Sequence, residues 1–353
     1  MKKEILKNRY FLFPLFLFFA IVSAQPAPNR EIPLNIPFIL DLHSDILTAI
    51  YKSRTLAQFE NLKMHSSLPH LKEGGINAQF FAVWVPPGYG FKRADSMIRL
   101  FYQMLDNYSG DMAFAGSNKE IRRNCAMGKI SALLGIEGGG EAIGADINNI
   151  DYFYNNGVRY MSLTWNKSNR LADAAMDKRK PHNGLSPLGK QAVQRMNQLG
   201  MIIDVSHASS ATVEDILKLS RDPIIASHSC CYSLRRHPRN LTDNQIKAIC
   251  LAGGVIGVSF HRKHLTAKNK ATVSDVANHI DHLKKTGGLA CVALGSDFDG
   301  DIIPPVGLEN AGKLSNLTKE LVKRGYSEEE IEQIYGQNIL RVLQKVVDER
   351  PQK

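Results

Sequence analysis

Eight short apolar runs, spread over about 300 residues and mostly separated by amphipathic segments, constrain the fold of this chain more than any other feature. They cover 38–43, 76–85, 130–136, 158–164, 201–206, 223–227, 254–260 and 291–296. Several are apolar almost throughout, the composition of strands covered on both faces, as parallel strands are. Helical periodicity fills the intervals. Residues 92–107 place Met97, Phe101, Met104 and Leu105 on one face, and 188–199 follow Pro187 and stop at Gly200. Thr242 stands as N-cap for 242–252, which ends at Gly253-Gly254, and Val276, Ile280 and Leu283 align within 274–286. The alternation predicts an α/β fold, a TIM-like (β/α)8 barrel. A doubly wound open sheet is the competing arrangement, because strand alternation is common to both. Past Ser296, helical segments 314–324, 327–335 and 337–348 are expected to close the bottom or side of the barrel.

The N-terminus reads as a leader. A basic start (Lys2, Lys3, Lys7, Arg9) precedes an apolar run from Tyr10 to Val22 and the small residues Ser23-Ala24. That is the layout of a secretory signal peptide over residues 1–24, cut after Ala24. The apolar run is shorter than the roughly 20 residues a membrane-spanning helix needs, so no stable anchor is expected after cleavage. The expectation is an exported protein, periplasmic or secreted, whose single catalytic domain covers 25–353. Of the formal net charge of +10, the leader carries +3 and the remaining 329 residues +7. That excess is dispersed without interleaved aromatics, which argues against a nucleic-acid partner and allows anionic substrates. Five cysteines, odd in number and lacking CxxC spacing, leave at least one thiol free and argue against a metal–thiolate site.

The chemistry stands at the strand ends. Run one ends in His43 and Asp45, and run three in Glu137 followed by three glycines. Runs five and six end in His207 and His228, and the last in Asp297 and Asp299. A single histidine after an apolar run is more often a hydrogen-bonded core or surface residue, and Asp297 or Asp299 alone could cap a turn. Five strand ends carrying ligand-type residues are another matter. In a parallel barrel they share the face where active sites lie, and three imidazoles with at least three carboxylates suit a two-metal hydrolytic centre.

A resemblance sharpens this. Asp41-Leu-His43-Ser-Asp45, Gly135-Ile-Glu137-Gly-Gly, Gly157-Val-Arg-Tyr160, Gly184-Leu-Ser-Pro-Leu-Gly189, Asp204-Val-Ser-His207, Ser227-His-Ser, Arg239-Asn240, Gly295-Ser-Asp297-Phe-Asp-Gly and Gly336-Gln-Asn338 follow one another along the chain. Over nearly all of 36–345 the chain resembles the membrane (renal) dipeptidase family of zinc dipeptidases. The resemblance implies two Zn2+ ions, one held by His43 and Asp45, the other by His207 and His228, with Glu137 bridging. It implies a hydroxide between the ions that attacks the peptide carbonyl, Asp297 as general base and then acid, and Arg239 gripping the substrate's carboxylate. It also implies a homodimer. From the residues alone, Arg239 would read as a surface charge in the basic run 235–239.

One departure stands out. Where renal members carry a substrate-contacting histidine after Leu-Thr, this chain has Trp165, whose indole N–H donates a hydrogen bond but takes no positive charge. His261, after the run 254–260, is the candidate to replace that donor. Trp165 also keeps open a related amidohydrolase activity on lactones, cyclic amides or N-acyl amino acids. Asp41 and Asp204 are read evenly as orienters of the ligand histidines or as ordinary barrel-interior polar residues. His65, His70, His182, His264, His279 and His282 are read as surface or loop residues.

Overall fold

The computed structural model describes residues 37–350, and the leader expected over 1–24 lies outside them. Nine parallel strands occur among the described residues: β1 (Ile39–Ser44), β2 (Ile76–Trp84), β3 (Met112–Phe114), β4 (Ile130–Glu137), β5 (Val158–Ser162), β6 (Ile202–Asp204), β7 (Ile225–Ser229), β8 (Val255–Val258) and β9 (Val292–Leu294). Eight of them run in the order β2-β1-β9-β8-β7-β6-β5-β4. The ring closes where β4 returns to β2, in register from Ala78 opposite Ser131 to Trp84 opposite Glu137. That pairing excludes the open sheet, which has two unpaired edges. All eight expected strands are present within a few residues of their predicted bounds. β3, which pairs with the first half of β4, was not foreseen, because three residues are too few to show a period.

Two apolar layers hold the barrel. Inside it, Leu40, Phe80, Leu133, Tyr160, Ile202, Ile225 and Val255 form one buried cluster with Ile339, Val342, Leu343 and Val346 of the C-terminal segment. Burying each large aliphatic side chain contributes about 1.5–3 kcal/mol. The C-terminal segment covers the end where the strands begin. Asn338 Nδ2 donates to the carbonyls of Leu289 and Val292, both 2.8 Å, at the start of β9. The opposite end is left for the site. Outside, helices lay their apolar stripes on the sheet. Phe91–Asn107 buries Met97, Phe101 and Met104, and Asp243–Leu251 begins in a capping box. There Gln245 N donates to Thr242 Oγ1 (3.3 Å) and Thr242 N donates to Gln245 Oε1 (2.9 Å).

A disulfide joins Cys250 to Cys291, across 41 residues of chain, while Cys125, Cys230 and Cys231 are free. No described helix is long and apolar enough to cross a membrane.

Candidate metal centre

Barrel closure brings together residues up to 254 positions apart. Glu137 ends β4, and its Oε1 lies 2.7 Å from His207 Nε2 and 3.4 Å from His228 Nε2. On β1, His43 Nε2 stands 3.4 Å from Asp45 Oδ2, and the His43 and His228 rings are 4.0 Å apart. The ligand-type atoms form three overlapping groups, each within 4.8 Å: His43, Asp45 and Glu137; Glu137, His207 and His228; and His43, His228 and Asp297. Glu137 belongs to the first two groups, and all six side chains are buried.

The hydrogen bonds behind the rings determine which nitrogen faces inward. His43 Nδ1 lies 2.8 Å from Tyr160 Oη, which donates onward to the Leu42 carbonyl (3.1 Å). His228 Nδ1 lies 2.8 Å from Ser227 Oγ, which donates to Asp204 Oδ2 (2.6 Å). His207 Nδ1 faces Asn166 Oδ1 at 3.0 Å. Each arrangement has its acceptor oriented for an Nδ1–H. All three rings thereby turn Nε2 towards the centre, the arrangement a metal-binding histidine uses. His43 Nε2 is buried and faces the Asp45 carboxylate at 3.4 Å, and the Nε2 atoms of His207 and His228 lie 3.0 Å apart. Imidazole nitrogens and carboxylate oxygens converge on one point, and divalent cations are what such a donor set fits.

The electrostatics agree. Burial raises the carboxyl groups of Asp45 and Glu137 and pushes Asp297 well above the ordinary range. Burial drives His207 and His228 well below the usual imidazole value, helped by the charges of Arg239 and His43. At His43 burial acts the same way, but the adjacent Asp45 carboxylate, with Glu137 and Asp297, outweighs it and raises the ring to about 10. Buried carboxylates crowded together hold protons more tightly, and bound cations would reverse these shifts.

The backbone here is strained. His207, Asp297 and Asp299 take left-handed φ values of 68°, 65° and 64°, each costing a non-glycine residue of order 1 kcal/mol. After Glu137, Gly138 has φ 87°, and a Cβ there would stand 2.3 Å from the Val85 carbonyl oxygen.

The other predicted residues fall into place around the six. Arg239 is buried, not a surface charge; its Nη2 donates to the His228 carbonyl (3.2 Å) and its Nε has no partner. Trp165 sits beside His207, ring centres 6.3 Å apart, and packs steeply against Trp84. His261 touches His264, whose Nδ1 lies 3.2 Å from Ser259 Oγ, and that hydroxyl lies 3.5 Å from Asp297 Oδ2. Asp299 pins a loop, accepting from the backbone N–H groups of His65 and Ser66. Asp204 orients His228 through Ser227. Asp41 acts elsewhere, accepting from Ser296 N (2.7 Å) and Oγ (2.6 Å), and so tethers the residue before Asp297.

Three histidines expected at the surface are buried: His70, His264 and His279. His279 accepts from Cys231 N and faces the Leu265 carbonyl, bonds that only the folded helix and loop create. Tyr160, Asn166, Ser227 and Ser259 were missed by sequence reasoning. Only Ser227, beside His228, offered a signal.

Several solved structures share this architecture. A metallo peptidase from Rhodobacter sphaeroides, solved with a phosphinate mimic of the dipeptide L-Ala-D-Ala, is 24% identical with a TM-score of 0.82, covering 88% of this chain and 100% of its own. Dipeptidase AC, a metallo peptidase, is 25% identical with a TM-score of 0.81, covering 88% and 99%. The probable dipeptidase PvdM from Pseudomonas aeruginosa is 23% identical with a TM-score of 0.82, covering 89% and 96%. The family model of the membrane dipeptidases matches residues 30–352. A closed parallel barrel, a buried cluster of metal-ligand side chains at one end and a family match along almost the whole chain agree, and the protein belongs to the membrane dipeptidase family, peptidase family M19, as a metallo-dipeptidase.

Proposed function

We propose that the chain hydrolyses the peptide bond of dipeptides with two zinc ions, His43 and Asp45 holding one, His207 and His228 the other, and Glu137 shared between them. The observation that carries this reading is the membership of Glu137 in two ligand groups at once, with the Nε2 atoms of His207 and His228 2.7 and 3.4 Å from its Oε1. Ions bound there would polarise the scissile carbonyl and lower the pKa of water towards 7.

The protein's own groups do the rest. Asp297, grouped with His43 and His228, takes a proton from the attacking water as its oxygen bonds to the carbonyl carbon. It returns that proton to the amine nitrogen as the C–N bond breaks, leaving two amino acids. The buried, under-bonded guanidinium of Arg239 binds the substrate's C-terminal carboxylate in a two-pronged contact, which selects very short peptides. Trp165 lines the rim beside His207, and His261 supplies polar contact through the His264 side.

Dipeptides, including ones with a C-terminal D-residue, are the substrate class, and the Rhodobacter relative's dipeptide-mimic ligand supports it. The chain acts after export and cleavage of residues 1–24, as a homodimer. Metal analysis of purified protein, with turnover of dipeptides, N-acyl amino acids and lactones before and after chelation, tests the assignment. Close to two zinc ions per chain and chelator-sensitive dipeptide hydrolysis are expected. Faster turnover of N-acyl amino acids or lactones would overturn the choice of bond, and metal-independent hydrolysis would overturn the centre itself.

A further inference from the structure

The helix Phe91–Asn107 breaks its own pattern at one place. Its buried stripe contains Met97, Phe101 and Met104, yet one turn before Met97 the stripe holds Arg93, which is only 8% exposed. A methionine or leucine would satisfy that position without desolvating a charge. Sequences that break a local rule tend to do so where a site needs it.

Arg93 lies in the wall of a cavity of about 690 Å3 between this helix and Ile46–Ser53, within the size range of small-molecule sites. Its guanidinium is surrounded by the rings of Tyr51 (4.8 Å), Tyr89 (4.9 Å) and Trp84 (5.3 Å). Nε donates to the Trp84 carbonyl (3.0 Å), which aims the fork, but Nη2 is buried without a partner, as is Trp84 Nε1. Lys52 and Arg54 add two exposed cations to the same wall, with Lys52 Nζ 5.4 Å from the Trp84 ring. No residue lining the cavity is acidic. Burial lowers the Arg93 pKa, and the groups that oppose this are the phenols of Tyr51 and Tyr89 rather than any carboxylate. Aromatic faces stabilise a guanidinium by about 0.5–2 kcal/mol, but they leave its N–H groups unbonded.

We infer that this groove is a second binding site, for a small anion with a carboxylate or phosphate head seated on Arg93 and an apolar or aromatic body lying along Tyr51, Trp84 and Tyr89. The guanidinium of Arg93 donates a charge-assisted hydrogen bond to such a head, and Lys52 and Arg54 attract it electrostatically. The site is separate from the metal centre. Trp84 packs against Trp165 (5.1 Å between ring centres), Trp165 in turn stands beside His207, and no residue lining the groove belongs to the metal-ligand groups.

Trp84 and Trp165 are the chain's two tryptophans, which provides the test. In Trp165→Phe protein, Trp84 is the sole indole emitter. Its fluorescence is titrated with N-acetylphenylalanine, with phenyl phosphate and with uncharged N-acetylphenylalanine amide, in metal-loaded and in chelated protein. Saturable change with one or both anions at millimolar concentration or below, little with the amide, and the same Kd with and without metal are expected. The anion that binds more tightly identifies the natural head group. Arg93→Met should weaken binding about tenfold or more, the loss of a charge-assisted pair. Lys52→Ala/Arg54→Ala, both at exposed positions, should weaken it less and flatten its salt dependence. An equal response to the amide, a Kd unchanged in Arg93→Met, or binding seen only in metal-loaded protein would each overturn the proposal. Because the readout does not depend on turnover or on metal, it is independent of whether the dipeptide assignment holds.

Discussion

Tyr160→Phe removes one oxygen from the barrel interior and leaves the ring in place. In the native protein that oxygen lies 2.8 Å from His43 Nδ1 and donates to the Leu42 carbonyl at 3.1 Å. The ring is fully buried against Phe80, centres 4.8 Å apart, so phenylalanine fills the same volume. What is lost is the partner of a buried Nδ1–H, worth about 1–3 kcal/mol when left unsatisfied. His43 then gains freedom to rotate and to carry its proton on Nε2, where the lone pair is needed. Loss of such a supporting bond typically lowers metal affinity 10–100-fold, or about 1.4–2.7 kcal/mol. Tyr160 holds the ring of His43, the histidine next to Asp45, whereas Asn166 and Ser227 hold the other two. Stepwise zinc release to a competing chelator should therefore show one ion weakened in Tyr160→Phe and the other nearly unchanged, with Asn166→Ala reversing the order. If both ions weaken equally, or neither moves by more than about twofold, the division of the centre into two separately supported halves is wrong.

Other consequences are open to simpler assays. Gly135→Ala would place a Cβ 2.1 Å from the Tyr160 ring, so the variant should lose stability and zinc together, while the same exchange at solvent-facing Gly128, whose Cβ would meet nothing within 4 Å, should cost only its backbone strain. Burial holds His279 neutral to about pH 4, against 6.5 in the unfolded chain, so the unfolded state binds the extra proton. Stability present above pH 6.5 should be lost by up to about 3 kcal/mol as pH falls towards 4, and a denaturation series in which His279→Gln tracks the native protein at every pH would refute it. Reducing Cys250–Cys291 reopens 41 residues of chain and should lower stability by about 4 kcal/mol in the chain-entropy account, read as a fall in Tm with reductant that Cys250→Ser abolishes.

Much of this protein was legible before any coordinates. A strand buried on both faces must be apolar throughout, and a helix covering it must be apolar every third or fourth residue, so the alternation and its eight strands follow from local chemistry. His43, Asp45, Glu137, His207, His228 and Asp297 could be picked out for the same reason, since each ends an apolar run and parallel strands end on one face. Ring closure was not legible, because the β2–β4 pairing joins segments whose local patterns would serve an open sheet equally well. The holders of the histidines were hidden too. Tyr160 reads as an ordinary strand residue, and only packing across the barrel sets its hydroxyl behind His43, 117 positions away. Arg93 belongs to the same class: its helical position can be read from the sequence, but its three aromatic neighbours come from different segments and meet only in the folded chain. Periodicity reports which face of an element is buried; what lies opposite that face is decided by contacts between residues far apart in sequence, and it is there that the proton positions and charges of this site are set.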